Sequence, residues 1–238
     1  MTHKMRIMSD KEYHQGYKAS SPYITKNIDR FTPAMEIAML EQILEAIQSG
    51  ITKNSKTITH IETGGGDASN YDEELEMIEN LLGVAFVTCQ VYITSVVSMV
   101  NKARAKKSTN SQCQSFSKKK EILRYENSPV KTFDGTAVTQ IQLIDTMANY
   151  YKHRDEWKLE YKQITSENEN YSIPEWKVIN NNEQTIKVLK AIRVKPNSSG
   201  NLRRAAETLG NKDYDVRIFA KILSSWSNRV KEKCQELS

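Results

Sequence analysis

Cysteine, glycine, proline and histidine are all scarce in this chain of 238 residues. The three cysteines, Cys89, Cys113 and Cys234, form an odd set without metal-ligand spacing, which implies reduced thiols and a cytoplasmic protein. Cys89 lies in an apolar run and is expected to be a small buried residue. Nine glycines and five prolines are too few for a turn-dense all-β protein, so helices are expected. The first residues, MTHKMRIMSDKEYHQG, hold no apolar stretch, so no secretory signal is expected. A hydrophobic fraction of 38% beside 26% charged residues is enough to bury a core and too apolar for a disordered chain.

Charge is present and unevenly spread. The net value of +5 permits contact with a polyanion without requiring it. Lys102, Arg104, Lys106, Lys107, Lys118, Lys119, Lys120 and Arg124 fall together, with Glu121 the lone acid among them. Such a run is either a solvated face or a polyanion contact. The reverse holds from Leu81 to Val100, LLGVAFVTCQVYITSVVSMV, where no charge occurs over a membrane-spanning length. Thr88, Gln90, Thr94, Ser95 and Ser98 dilute its hydrophobicity, and DEELEMIEN leads straight into it. The central helix of a bundle fits better than a membrane span.

Patterning predicts an all-α protein. Residues 1–30 form a polar segment, 31–163 a helical bundle, and 164–238 a C-terminal helical extension packed on it. A first helix begins at FTPAMEIAML, with Thr32 as cap, Pro33 at the first helical position and Gly50 as its stop. Met35, Met39, Ile43 and Ile47 make its apolar stripe, with Leu40 and Leu44 alongside. HIETGGGDASNY is a loop, and the absence of a following GK[ST] excludes a phosphate-binding P-loop. Asp72 is expected to cap a second helix running towards Lys107, with Glu73 and Glu74 complementing its dipole. STNSQCQSFSKKK and ENSPVKTFDGTAV are connections. A third long helix starts near Val138 and runs to Lys162, with Ile141, Ile144, Met147, Ala148 and Tyr151 facing the core. Beyond the polar TSENENYSIPEW come helices at 183–192, NLRRAAETLG and DVRIFAKILSSWSNRVKEKCQEL.

The third helix carries MANYYKHRDEW, with one of only four histidines set between Lys152 and Arg154. Asp145, Asn149 and His153 are four residues apart and share one polar line. A carboxylate or amide beside an imidazole fixes its tautomer, and metal-independent RNA cleavage needs a base for the 2′-hydroxyl and a cation for the phosphate. An exposed, salt-bridged helix face has the same spacing.

The uncharged helix followed by a helix ending NYYKHRDEW resembles the HEPN superfamily of bacterial helical-bundle proteins, over roughly Asp72 to Tyr161. The resemblance implies a homodimer in a toxin–antitoxin or antiviral defence setting that binds or cleaves RNA without metal or organic cofactor, alongside an antitoxin or other partner protein. The family's site pairs an arginine with a histidine one helical turn later. His153 matches that histidine and becomes the candidate acid–base residue. Thr146, Met147 and Ala148 stand where the arginine should be, so Arg154 and Lys152 become the candidate phosphate contacts. Asn149 and Asp145 are the orienting groups, and Lys118, Lys119 and Lys120 further substrate contacts.

A non-enzymatic alternative sits at the C-terminus. Ala206, Gly210, Val216 and Phe219 fit the small–glycine–apolar–apolar spacing of a helix-turn-helix, with Arg217 and Lys221 on the recognition helix. A close-packed helical pair uses the same residues. The competing function is thus a nucleic-acid-binding or scaffold subunit.

Overall fold

The computed structural model describes residues 33–105, 118–125, 128–154, 157–166, 169–178, 183–195, 198–210 and 213–236. The polar segment 1–30, Thr32, the basic pair Lys106 and Lys107, Cys113 and Glu156 lie outside the described residues.

Helix α1 spans Pro33–Glu62 and α2 spans Tyr71–Ala105. Leu40, Leu44, Ile47, Ile51 and Ile58 supply the buried line of α1. Met39 and Ile43, expected on that line, are exposed instead. The line through Leu40 continues apolar for the helix's length, whereas the one through Met39 and Ile43 gives way to Ala46 and Gly50. Gly50 does not stop α1. A Cβ there would stand 3.0 Å from Leu81 Cδ1, so the glycine lets α1 and α2 approach. The loop after Glu62 leads to a 3₁₀ turn, Ala68–Asn70, which Asp67 caps by accepting the Ser69 N–H at 2.9 Å. Asp72, expected as the cap, sits in the first turn of α2 with Glu73 and Glu74, where carboxylates favour the dipole.

Along α2 the residues Ile78, Leu82, Ala85, Phe86, Cys89, Ile93, Val96 and Val100 are buried. Burial pushes the Cys89 thiol far up, so it is inert packing. An apolar window in this helix has mean hydropathy 1.8 and the length to cross a membrane. More than half of it, 56%, is covered by the protein, as in a core helix.

Part of the basic cluster is helical: α3 is Lys119–Arg124, and Ile122 and Leu123 are buried beneath it. Helix α4, Gln140–Lys152, starts with Thr139 and Gln142 exchanging hydrogen bonds as a capping box. Every residue from Ile141 to Ala148 is buried, because α4 is surrounded by the other helices. Tyr151, expected in the core, is half-buried at its edge.

Helix α4 ends ten residues before the expected Lys162. The chain turns at His153 and enters an antiparallel hairpin, β1 (Trp157–Ser166) with β2 (Glu169–Val178), in register from Trp157 opposite Val178 to Ser166 opposite Glu169. Helices α5 (Glu183–Ala191), α6 (Asn201–Thr208) and α7 (Arg217–Glu236) follow. The described residues are mostly helical, as expected, with this hairpin as the departure.

Helix α7 closes the core. The Phe219 ring stacks on Phe86 with centroids 5.0 Å apart. Buried Trp226 donates its indole N–H to the Ile122 carbonyl at 3.1 Å, and the Tyr92 hydroxyl meets Ser227 Oγ at 2.8 Å. Each aromatic contact removes apolar surface worth about 1.5–3 kcal/mol per side chain, and the polar tips find partners.

Gly83 of α2 faces the Tyr151 ring of α4. A Cβ there would lie 2.3 Å from the Tyr151 ring. Gly83→Ala is expected to lower the unfolding free energy in urea by about 1–3 kcal/mol, despite alanine's helix preference. In a Tyr151→Ala background the same change should be neutral or stabilising.

Candidate nucleic-acid interface

The polar line expected on α4 divides in two. Asp145 and Asn149 face inward across the contact with α2, and Gln90 holds both. Its amide nitrogen donates to Asp145 Oδ1 at 2.9 Å, to the Asp145 carbonyl at 3.1 Å and to Asn149 Oδ1 at 2.9 Å. Lys119 Nζ, arriving from α3, makes an ion pair with the same Asp145 oxygen at 2.8 Å. Lys119 is half-exposed whereas the Asp145 side chain retains only 11% of its surface, so the lysine serves chiefly to keep a nearly buried carboxylate paired. These groups join three helices. They sit apart from the end of α4, where His153 is exposed as the C-cap residue and its backbone N–H reaches the Asn149 carbonyl at 3.2 Å.

Arg154 follows in an exposed position. Its Nη1 donates to Asn80 Oδ1 at 2.9 Å, and its guanidinium carbon lies 5.2 Å from the centre of the Tyr151 ring. The pairing of a cation with an aromatic face keeps the guanidinium extended rather than wandering. Lys152, Lys118 and Lys120 are exposed.

Arg154 borders a cleft of about 560 Å³ between α2, α4 and the start of α6. Its other notable walls are Glu79, Tyr150, Tyr151, Ser199 and Arg203. The N-terminus of α6 is already satisfied: the Leu202 N–H donates to Glu79 Oε1 at 2.6 Å, and Arg203 donates its N–H and Nε to Oε2, both at 3.3 Å. Glu79 is thereby neutralised and ties α6 to α2. Asn201 Nδ2 donates to the Tyr150 hydroxyl at 2.7 Å and to the Lys195 carbonyl at 2.6 Å. Burial raises the Tyr150 phenol above its usual range, so it remains protonated. Spacing along one helix offered no sign of Asn80, Tyr150, Glu79 or Arg203, since three separate elements bring them together. The available signal was the SSGN run before an apolar–basic stretch, an ordinary helix start.

The C-terminal pair departs from helix-turn-helix geometry. Ala206, Val216 and Phe219 are buried and Gly210 takes a positive φ of 86°, as the spacing required. Yet residues 209–216 separate α6 from α7, against the three or four of that motif. Helix α7 lays its apolar face on α1 and α2. Arg217 is engaged by Asp215 at 2.7 and 2.9 Å, and that contact holds the Asp215 carboxyl below its usual range. The residues serve packing.

No family model, curated protein or solved structure matches the chain.

The inward network has a structural consequence. Gln90→Leu leaves the Asp145 and Asn149 oxygens short of a donor and is expected to cost about 1–3 kcal/mol in urea unfolding. Lys119→Ala leaves the nearly buried Asp145 carboxylate without its cation and should cost a comparable amount, about 1–3 kcal/mol.

Proposed function

We propose that the chain is a HEPN-like helical protein that binds single-stranded RNA in the cleft between α2, α4 and α6. The observation that carries this is Arg154, held over the Tyr151 ring and opening beside Tyr150 and Arg203. Guanidinium groups take phosphates, and Arg154 is the exposed one at the mouth of this cleft. Asp72 and Glu76 also line the cleft, so few phosphates are neutralised and affinity is modest. Lys118 and Lys120 are exposed at the start of α3 and are not part of the cleft's lining. The defence or toxin–antitoxin setting, with its partner protein, comes from the resemblance alone.

Binding is favoured over cleavage by the inward placement of Asp145 and Asn149. Both were to orient the imidazole, and both have oxygens committed to Gln90. Cleavage is the second reading, supported by His153 and Arg154 standing consecutively where α4 ends. It requires His153 alone to handle the proton of the 2′-hydroxyl while Arg154 meets the phosphate.

Fluorescence anisotropy with a labelled single-stranded RNA of about a dozen nucleotides tests the proposal. Wild-type protein should bind with a log–log salt slope of roughly 1–2, and Arg154→Ala should weaken binding and reduce the slope by about 0.7. Absent binding, or an Arg154→Ala variant indistinguishable from wild type, overturns the proposal. Cleavage in the presence of a chelator, lost by about 10²–10⁴ in His153→Ala, would instead establish the enzymatic reading.

A further inference from the structure

Residues 128–139 form a loop whose ends pair, with the Val130 N–H donating to the Val138 carbonyl at 2.9 Å. Its tip is pinned to the end of α5, where the Phe133 N–H donates to the Ala191 carbonyl at 2.9 Å. There α5 stops in a Schellman turn: the Arg193 N–H reaches the Lys190 carbonyl and the Val194 N–H the Leu189 carbonyl, both at 3.0 Å. The left-handed position of such a turn usually takes glycine, yet Arg193 holds it at φ 55°. Its guanidinium carbon lies 4.2 Å from the centre of the Phe133 ring, and no acceptor among the described residues engages that group. The Arg193 carbonyl accepts from Arg204 Nη1 at 2.8 Å. Arg204 in turn follows Arg203, which lines the cleft. Lys187, Lys190, Arg193 and Arg204 are exposed, and the loop tip brings a single acid, Asp134, near Lys187.

We infer that RNA leaving the cleft crosses α6 and meets a second contact here, with Arg193 and Arg204 taking its phosphates. This path rests on the RNA binding proposed above. Charge and continuity name the occupant. Arg154 and Arg203 line the cleft, Arg204 follows on α6, and Arg193 stands beside it, so guanidinium groups succeed one another from the cleft to the loop. A chain of regularly spaced phosphates matches such a succession. The Phe133 ring keeps the Arg193 guanidinium extended while leaving its N–H donors for a phosphate. A bilayer fits less well. Among the described residues Phe133, 59% exposed, is the one large apolar side chain exposed outside α1 and α2, a single anchor. Arg193 and Arg204 lie beyond the stretch that resembles the HEPN superfamily, so this contact is the chain's own.

Anisotropy of the full chain with labelled single-stranded RNAs of about 5 and about 15 nucleotides tests it. Arg193→Gly suits the left-handed position, so it removes the guanidinium while keeping or raising the melting temperature. It should weaken binding of the long RNA about threefold or more and lower its log–log salt slope by about 0.7, with the short RNA unaffected. Lys190→Gln, an exposed change, should act in the same direction. Phe133→Leu keeps every charge and should weaken the long RNA by about two- to fivefold with little change of slope. Arg154→Ala should weaken both lengths. If Arg154→Ala acts but Arg193→Gly and Lys190→Gln change neither RNA, or change both alike, the path is overturned and the cleft stands. A long RNA that depends on Arg193 and not on Arg154 overturns the path together with the cleft. Absence of binding at either length does the same. Adsorption to anionic vesicles that is lost in Phe133→Leu, without a length-dependent effect on RNA, assigns the loop to a bilayer and rejects the inference.

Discussion

The fold depends on one constraint: α2 carries no charge from Leu81 to Asn101 and must be covered along that length. Burying about twenty uncharged residues takes more than one neighbour, because a helix in contact with a single partner hides only a stripe. Helices α1, α4 and α7 supply three neighbours. Each arrives with a matched contact: Gly50 admits α1 to Leu81, Gly83 admits Tyr151 of α4, and Phe86 stacks on Phe219 of α7. The C-terminal helices are therefore part of the core, and α7 occupies a side of α2 that would otherwise face water. What remains uncovered is the narrow strip through Met77, Val84 and Val91.

Polar groups in this core fix register where apolar packing alone would allow sliding. Gln90 is the single donor that spans Asp145 and Asn149, a helical turn apart on α4, so a shift of α4 along α2 by one residue would strand at least one oxygen. Glu79 does the same for α6 by receiving its first free N–H groups. Asn201 anchors the loop before α6 to Tyr150. These bonds explain why the cleft beside Arg154 has fixed walls: its back is built from groups whose donors and acceptors are already matched.

Element type was legible where periodicity was long. The helices of α1, α2 and α7 follow from apolar spacing, and the cap at Thr139 is close to the expected start near Val138. Boundaries failed where a local signal was outweighed by packing. Gly50 reads as a stop, yet the apolar line of α1 continues through Ile51 and Ile58, and the glycine has a tertiary use. The hairpin was missed although Trp157, Lys158, Leu159, Glu160 and Tyr161 alternate with period two, because the charges of the same residues also fit a helix face. Asp145 and Asn149 were expected to orient His153 because the three share one polar line on the helix. Their burial depends on Gln90, some fifty-five residues away in sequence, which no spacing rule on α4 could supply.

The histidine between Lys152 and Arg154 has a physical account before any chemistry is invoked. The last carbonyls of α4 lack intrahelical donors, and cationic side chains are favoured at that end of the dipole. Lys152 and Arg154 sit there on either side of His153, the C-cap residue at φ −114°, ψ 19°. Arg154 goes further than capping requires, since it reaches across to Asn80 and lies against Tyr151 at the mouth of the cleft. A guanidinium needed just for the helix end would gain little from a second helix. Its contact with α2 instead fixes the guanidinium at the edge of the cleft, so its position is set by two helices and not by the end of α4 alone.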